Sequence, residues 1–374
     1  MNLNPRSRFG TSGALSAYAA ALLLMVTQGS LAAPTISSIS GTAAEKSTIT
    51  VTGSGFGSGP NVILYDDFEA SGGVVGQAVS LAASTVGSWT DTVGVTPQYD
   101  SVARSGSRSI RIYRDGQTAS LRKDFPAPAT EVFFSFWVRV PSGTPFPGDS
   151  GGVNQFSSDS SWKFAWLIDS SYDGSSSDLC APTHTGGGSF QLAGNDFAMT
   201  YLPKGSTWWS WNSWMRMSVW LRADPSNPTG PGGRYRWHVT STERGQFEQA
   251  GSEAIFDSDG PSQKAFRYIN MPGWIRSDGS SRPVYDDIYI ATGSNAQARV
   301  EIGDASTYSA SKQLTLLVPK SWSASSISVQ LPTGAVPSSG AYLYVTDKDG
   351  NVNAQGYKLA GGIAPNPPSS VQVQ

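Results

Sequence analysis

Apolar and polar residues alternate along most of the chain after its N-terminal segment. On Trp214–Arg222, the side chains of Met215, Met217, Val219 and Leu221 fall on one face, and polar or amphipathic side chains fall on the other. The same two-residue period appears in the segments Ala103–Arg114, Glu131–Val140, Ser161–Asp169, Arg234–Thr240 and Tyr285–Ile290. This period is typical of half-buried strands, and no stretch of useful length has a helical period. The pattern predicts an all-β protein.

The N-terminus has the pattern of an export signal. Arg6 and Arg8 precede a short apolar run, Ala14–Val26, and small residues follow up to Ala33. The run is too short to span a bilayer comfortably, so we interpret residues 1–33 as a signal peptide. A retained membrane anchor is the alternative. We expect a secreted or cell-surface protein with no membrane span after signal removal.

Composition narrows the class further. Charged residues make up 14% of the chain and the net charge is −2, so no broad positive field would attract nucleic acid. With 41 glycines, 23 prolines and 11% aromatic residues, the chain favours strands and turns. Cys180 is the single cysteine, which excludes an internal disulfide. It is either a small buried apolar residue or a reactive thiol.

Two separated parts of the chain resemble the two halves of one small domain. Pro34–Gly41 reads P-T-I-S-S-I-S-G, and residues 47–57 read S-T-I-T-V-T-G-S-G-F-G. Trp322–Pro332 reads W-S-A-S-S-I-S-V-Q-L-P. Together these segments resemble the IPT/TIG family of immunoglobulin-like domains, with a glycine where the family usually has its second proline. The resemblance implies a small β-sandwich split into residues 34–60 and 297–360, in which Trp322, Ile327 and Val329 point inward.

The segment between the two halves resembles a different family. Its motifs are D-D-F-E at Asp66–Glu69, S-G-S-R-S-I-R-I at Ser105–Ile112 and D-D-I-Y-I at Asp286–Ile290. In this order they are similar to the concanavalin A-like lectin/glucanase superfamily. The resemblance implies a jelly-roll β-sandwich over residues 61–296, inserted into the small immunoglobulin-like sandwich, with its first and last strands adjacent. Residues 361–374 are predicted to form a flexible tail.

A candidate substrate groove lies on three of the predicted strands. Each strand places arginine beside tryptophan or histidine on one face. The predicted substrate-binding residues are Trp137, Arg139, Arg216, Trp220, Arg222 and Arg234. Guanidinium groups pair with carboxylate or sulfate, and tryptophan stacks on sugar rings, so the mixture suits an acidic polysaccharide. The alternative is an ordinary solvent-facing sheet.

Catalytic candidates follow from the same strands. Polysaccharide lyases of this superfamily need a His or Tyr base, and an amide or guanidinium group to neutralise the uronate carboxylate. His238, Tyr235 and Arg236 are the predicted catalytic residues under that resemblance. The motifs of well-known alginate lyases and the paired carboxylates of jelly-roll glucanases are absent. The alternative for His238 is a structural role.

Two Asp-Asp pairs are candidate metal ligands. Jelly rolls that the chain resembles often bind structural calcium where the first and last strands meet. The predicted ligands are Asp66, Asp67, Asp286 and Asp287, whose carboxylates suit a hard cation. The alternative is that these side chains point to solvent or cap turns. No other cofactor is expected.

The fold does not determine the activity, because the superfamily includes lectins, hydrolases and lyases. We expect a secreted protein that recognises extracellular, acidic polysaccharide through the concave face of the jelly roll. A polysaccharide lyase and a purely structural or adhesion protein are the alternatives.

Overall fold

A computed structural model describes thirteen segments of the chain. They are residues 32–69, 72–82, 84–112, 119–140, 162–169, 178–185, 189–194, 198–201, 212–243, 245–256, 264–275, 283–334 and 340–359. Nearly all of the predicted signal peptide, the predicted tail and the side chain of Cys180 lie outside this description. Within these segments, no helix has the length and apolar character needed to cross a bilayer.

The described residues form twenty-five strands and one short 3-10 helix, Tyr308–Ala310. Strands β1 to β8 are Thr35–Ser40, Thr48–Ser54, Asn61–Asp66, Asp91–Gly94, Gln98–Asp100, Ser109–Arg111, Ala119–Ala129 and Glu131–Arg139. Strands β9 to β16 are Trp162–Lys163, Trp166–Ile168, Asp178–Thr185, Ser189–Gly194, Ala198–Tyr201, Trp214–Arg222, Arg234–Ser241 and Gly245–Ser252. Strands β17 to β25 are Phe266–Met271, Trp274–Ile275, Val284–Thr292, Arg299–Gly303, Leu314–Leu317, Pro319–Trp322, Ser326–Gln330, Tyr342–Thr346 and Tyr357–Lys358. The predicted all-β sandwich class is confirmed.

Two large antiparallel sheets enclose the main hydrophobic core, and we call this unit the large sandwich. The first, the covered sheet, has the order β16-β15-β14-β8-β19-β6-β5, with β3 also beside β19. The second, the outer sheet, has the order β13-β12-β11-β10-β17-β7-β4, with β9 and β18 attached. The alternating apolar residues of both sheets meet between them, for example Met217 and Phe136 from one sheet and Leu121 and Ile269 from the other.

Two smaller sheets form the small sandwich, which is built from both ends of the described chain. One sheet has the order β1-β2-β23-β22 and the other β21-β20-β24-β25. Ile49 and Val51 share a core with Ile327 and Val329, and Trp322 packs against that core. The alternation along these strands therefore gave the correct inward face.

The first and last strands of the large sandwich are neighbours. Strand β3 pairs with β19, with Tyr65 opposite Tyr289. Beside Asp287, strand β19 shifts register against β8, and Asp287 has a backbone φ of +47°. Such an extra residue is a β-bulge, which interrupts the two-residue period. As a result Tyr285 and Ile288, three positions apart, both enter the same core.

Acidic side chains of the first and last motifs, Asp66–Glu69 and Asp286–Ile290, hold the segment around the motif Ser105–Ile112 in place. Asp286 Oδ2 accepts hydrogen bonds from the backbone N–H groups of Arg104 (2.6 Å) and Ser105 (3.2 Å). Glu69 Oε1 accepts from the N–H groups of Ser107 and Arg108. The three motifs therefore meet in one hydrogen-bonded cluster at the junction between the sandwiches, where these acids satisfy loop N–H groups.

A separate apolar cluster fills the space between the two sandwiches. Its buried members are Tyr65, Phe133, Trp220, Tyr289, Ala291, Ala296 and Leu316. Leu316 belongs to the small sandwich, whereas Phe133, Trp220 and Tyr289 lie on the covered sheet. The small sandwich therefore packs on the face of the covered sheet that points away from the main core.

Candidate functional site

The three strands predicted to form a groove lie side by side in the covered sheet. In β14, Arg216 is opposite Trp137 of β8 and Thr240 of β15. Ser218 is opposite His238 in the same way. The predicted coincidence of their faces is therefore correct. The sequence did not reveal that this face is the one against which the small sandwich packs.

Arg216 lies in the middle of that interface and is 1% exposed. Its Nη1 donates to Glu301 Oε1 at 2.6 Å and to the carbonyl of Leu314, and its Nε donates to Ser135 Oγ at 2.9 Å. Glu301 and Leu314 belong to the small sandwich. The prediction that Arg216 binds substrate is wrong, because the side chain is buried and its Nη1 already binds the buried carboxylate of Glu301.

Glu301 stays ionised in this setting. Burial raises the pKa of its carboxyl, but the charges of Arg299 and Arg216 lower it further, to about 2. Arg299 Nε donates to Glu301 Oε2 at 2.9 Å, and the Tyr308 hydroxyl donates to the same oxygen at 2.9 Å. A buried network of ion pairs and hydrogen bonds therefore joins the two sandwiches, although Arg216 Nη2 has no hydrogen-bond partner among the described residues.

His238 is a structural residue and not a base in an open site. It is 4% exposed, its Nε2 lies 2.9 Å from Gln246 Oε1, and its ring stacks on Tyr308 at 6.0 Å between centroids. Burial and the charge of Arg216 lower its pKa to about 4, so the ring is neutral near pH 7. The prediction of His238 as a catalytic base is corrected for lack of access.

The other two catalytic candidates, Tyr235 and Arg236, are not placed to act together with His238. Tyr235 enters the main core on the opposite face of β15, as alternation along a strand requires. Arg236 shares the face of His238, but its Nη1 donates to Gln297 Oε1 and to the carbonyl of Gly350, both at 2.9 Å. The predicted catalytic group is therefore not assembled in the structure.

The predicted tryptophans also lie in the covered interface. Trp137 is 1% exposed, with the guanidinium carbon of Arg104 4.2 Å from its ring centroid. Trp220 is 8% exposed, and its Nε1 donates to Glu131 Oε1 at 2.9 Å. Neither ring offers a free face for a sugar, so the prediction that they bind substrate is wrong.

The remaining arginines of the predicted groove lie at its rim. Arg139 is half-buried and donates to the carbonyl of Asn212 at 2.9 Å. Arg222 is also half-buried, with its guanidinium carbon 5.3 Å from the Trp220 ring centroid. Arg234 is exposed and donates to Ser252 Oγ at 2.6 Å. With the floor between them covered, these side chains do not form one groove.

The four aspartates come close to the junction but do not make a metal site. Among the described residues, no group of three or more acidic, histidine or cysteine side chains is arranged to hold a metal. Asp66 accepts from Trp89 Nε1 at 2.7 Å, and Asp67 accepts from Thr85 Oγ1 at 2.8 Å. Most oxygens of the four carboxylates are already engaged by N–H and O–H donors, and only Asp67 Oδ2 and Asp287 Oδ2 lack a partner among the described residues. The arrangement therefore favours hydrogen-bonded aspartates over the calcium site that the resemblance implied.

The second Asp-Asp pair is buried and hydrogen-bonded. Asp287 Oδ1 accepts from the hydroxyls of Ser105 (2.7 Å) and Tyr65 (3.1 Å), while its Oδ2 has no partner among the described residues. Burial, followed by the charge of Asp287, raises the pKa of Asp286 well above its ordinary value. Burial also raises the pKa of Asp287. This pair is therefore suited to holding protons and to accepting hydrogen bonds from the N–H and O–H groups of the adjacent loop.

The outer sheet carries a second set of polar and aromatic side chains on the face away from the main core. Asn270 of β17 is opposite Trp166 of β10 and Arg122 of β7. Tyr268, two residues earlier on β17, is opposite Asp124 of β7. These five residues define what we call the outer face.

Arg122 is the cation among the five residues of this face. Its guanidinium carbon lies 3.9 Å from the Tyr268 ring centroid, and its Nε donates to Asp124 Oδ1 at 2.7 Å. The side chains of Arg122 and Asp124 are 32% and 40% exposed, whereas Tyr268 and Asn270 are buried. The ring and the carboxylate fix the guanidinium plane, and Nη1 and Nη2 make no hydrogen bond among the described residues.

Asn270 adds an amide beside this guanidinium. It is 5% exposed, and its Oδ1 has no hydrogen-bond partner among the described residues. A buried polar atom without a partner costs about 1–3 kcal/mol, so such atoms commonly have a ligand or water. Because this oxygen has no solvent-accessible surface, the group of the outer face that a ligand can reach is the half-buried guanidinium of Arg122.

Sequence reasoning missed this face. The alternation of Arg122 and Asp124 with Leu121 and Phe125 was the available signal. That Asn270 and Tyr268 pair with this strand depends on sheet topology, which the local pattern does not specify.

Comparisons with known proteins give structural neighbours only. No protein-family model matches the sequence, and no curated protein matches it. The fold is similar to an alginate lyase from Aplysia kurodai, with 9% identity and a TM-score of 0.35, over 53% of this chain and 87% of that one. It is similar to an alginate lyase from Chlorella virus, with 10% identity and a TM-score of 0.37, over 55% and 93% of the two chains. It is also similar to the receptor binding domain of botulinum neurotoxin type G, with 13% identity and a TM-score of 0.38, over 80% and 74%. These names describe those proteins and assign no role to this chain.

Proposed function

We propose that this protein is exported and recognises extracellular, acidic polysaccharide through the outer face. The observation that carries the proposal is the guanidinium of Arg122, whose carbon lies 3.9 Å from the Tyr268 ring centroid and whose Nη1 and Nη2 make no hydrogen bond among the described residues. The Nη1 and Nη2 edge of a guanidinium pairs with a carboxylate or sulfate through two parallel hydrogen bonds.

The export part of the proposal rests on the sequence. The basic start at Arg6 and Arg8 and the apolar run Ala14–Val26 have the order of a cleaved signal. Sequencing the N-terminus of protein recovered from the culture medium tests it, and we expect the first residue near Ala33.

Affinity electrophoresis of the mature protein tests recognition. The panel contains alginate, polygalacturonate and heparin as acidic glycans, and laminarin as a neutral one. We expect retardation by at least one acidic glycan, and a loss of about tenfold or more in affinity for Arg122→Gln, since a charged bidentate contact is removed. Arg234→Gln is the matched control, because Arg234 is exposed on the other sheet. Absence of retardation, or equal retardation of both variants, would contradict the proposal.

Polysaccharide lyase activity is the second candidate, and one observation favours it. Tyr268 carries a phenol beside the guanidinium of Arg122, and a phenol base and a cation that neutralises the uronate carboxylate are groups that β-elimination requires. Near-ultraviolet absorbance during incubation with the acidic glycans measures the unsaturated product. A rise that Tyr268→Phe abolishes would establish the lyase, and a flat trace with retained binding would leave recognition alone.

We also infer that the small sandwich is an IPT/TIG-like module that hosts the larger one as an insert at residues 61–296. The core shared by Ile49, Val51, Ile327 and Val329 supports this arrangement. Because a buried ionic network joins the sandwiches, we expect a single calorimetric unfolding transition. Two separated transitions would show that the modules are independent.

A further inference from the structure

A cleft opens where the two sandwiches meet. Its volume is about 270 Å³, slightly below the range of about 300–1,000 Å³ for drug-sized ligands, so it suits a small one. The polar groups of its wall belong to Lys46, Tyr65, Asp67, Glu69, Thr85 and Gln330. Leu316 and Leu331 supply apolar surface. Lys46 and Thr85 are exposed, so the cleft opens to solvent on that side.

Asp67 presents one free oxygen to a ligand. Its Oδ1 accepts from Thr85 Oγ1 at 2.8 Å and from the backbone N–H of Glu69 at 3.4 Å. These contacts fix the carboxylate plane, whereas Oδ2 has no partner among the described residues. Glu69 differs, because Ser107 and Arg108 donate to its oxygens. Asp67 is therefore the preorganised acceptor of this cleft.

The opposite wall is also held rigidly. Lys46 has a left-handed backbone φ of +60°, its N–H donates to the carbonyl of Leu331 at 2.9 Å, and its own carbonyl accepts from Gln330 Nε2 at 3.1 Å. On the large-sandwich side, Phe68, between Asp67 and Glu69, has a φ of +55°. Left-handed residues other than glycine cost about 1–3 kcal/mol each and cluster at ligand sites. Both walls therefore carry backbone strain beside the cavity.

We propose that this cleft binds one sugar residue that carries hydroxyl or amine donors and no anionic group. That the ligand is a sugar rests on the proposed function, whereas the absence of an anionic group rests on the charges that line the cleft. Asp67 and Glu69 outweigh Lys46, so the local charge repels a uronate. Hydroxyl groups on neighbouring ring carbons match the free Oδ2 of Asp67 and the amide of Gln330, and the C–H face of the ring packs on Leu316 and Leu331.

Titration calorimetry of the mature protein with glucose, glucosamine and glucuronate tests the inference. We expect glucose or glucosamine to bind, and glucuronate to bind at least about tenfold more weakly. Asp67→Asn keeps the size of the side chain and removes its charge, so we expect a loss of about tenfold, as for a charge-assisted hydrogen bond. Asp349→Asn is the matched control, because Asp349 is exposed on the small sandwich away from the cleft lining. Lys46→Ala provides a second variant if Asp67→Asn unfolds.

The outcomes separate this inference from the proposed function. Sugar binding that Asp67→Asn reduces and Arg122→Gln leaves unchanged supports the cleft, whatever the result on polysaccharides. Polysaccharide retention without binding of glucose or glucosamine overturns the cleft and leaves the outer face in place. Tighter binding of glucuronate than of glucose also overturns the inference.

Discussion

Arg216 and Glu301 form an ion pair of 2.6 Å between two sandwiches, and both side chains are almost completely buried. Arg216 belongs to the large sandwich and Glu301 to the small sandwich. The pair fixes the small sandwich on the covered sheet, and it occupies the face on which the sequence predicted a groove.

Arg216→Met should destabilise the protein by roughly 3 kcal/mol, because a buried carboxylate loses one of its two cations. Urea unfolding followed by tryptophan fluorescence measures the change. The exposed Arg234→Met should stay within about 0.5 kcal/mol of wild type. In the double variant Arg216→Met/Glu301→Gln the losses should be less than additive, since the partners are coupled. Full additivity would mean that the pair contributes no interaction energy.

His238 should make the protein less stable in mild acid. Burial and the charge of Arg216 lower its folded pKa from 6.5 to about 4, so the unfolded chain binds more protons between these values. Stability is therefore lost as the pH falls from about 6.5 to about 4, by on the order of 3 kcal/mol. His238→Gln removes this proton uptake. The difference in unfolding free energy between wild type and variant, measured from pH 7 to pH 4, isolates the effect, and a pH-independent difference would refute it.

Asp66 should have the opposite effect. Burial raises its folded pKa from 3.8 to about 6, so the folded protein holds the proton more strongly than the unfolded chain. This preference adds on the order of 3 kcal/mol to the free energy of unfolding below about pH 3.8. The added stability is lost as the pH rises to about 6. Asp66→Asn should therefore gain stability relative to wild type across this window. Asp349→Asn, an exposed control, should show no such gain in the same urea titrations.

Calcium should not stabilise the protein. Asp66 and Asp286 are filled by N–H and O–H donors, and no metal-binding group occurs among the described residues. We expect the same thermal midpoint in millimolar calcium and in excess chelator. A midpoint that rises with calcium, and no longer does so in Asp287→Ala, would show that the aspartates rearrange around a cation.

The sequence by itself determined the all-β class and the buried faces of the main strands of the covered sheet. Met215, Met217, Val219 and Leu221 entered the core as their alternation required. The reason is local: successive side chains of a strand point to opposite sides, so the pattern identifies the two faces without knowledge of the partner. The Asp-Asp motifs were likewise visible, and both belong to the cluster at the junction.

Only the tertiary structure decided which faces are free. Arg216, Trp220 and His238 share a face, as predicted, but Glu301, Leu316 and Tyr308 cover it. Polar and aromatic side chains on one side of a strand suit a buried ionic interface as well as they suit a ligand groove. The difference lies in contacts between residues far apart in the chain, and a two-residue period carries no information about them. The bulge at Asp287 and the meeting of Arg122 with Asn270 were decided in the same way.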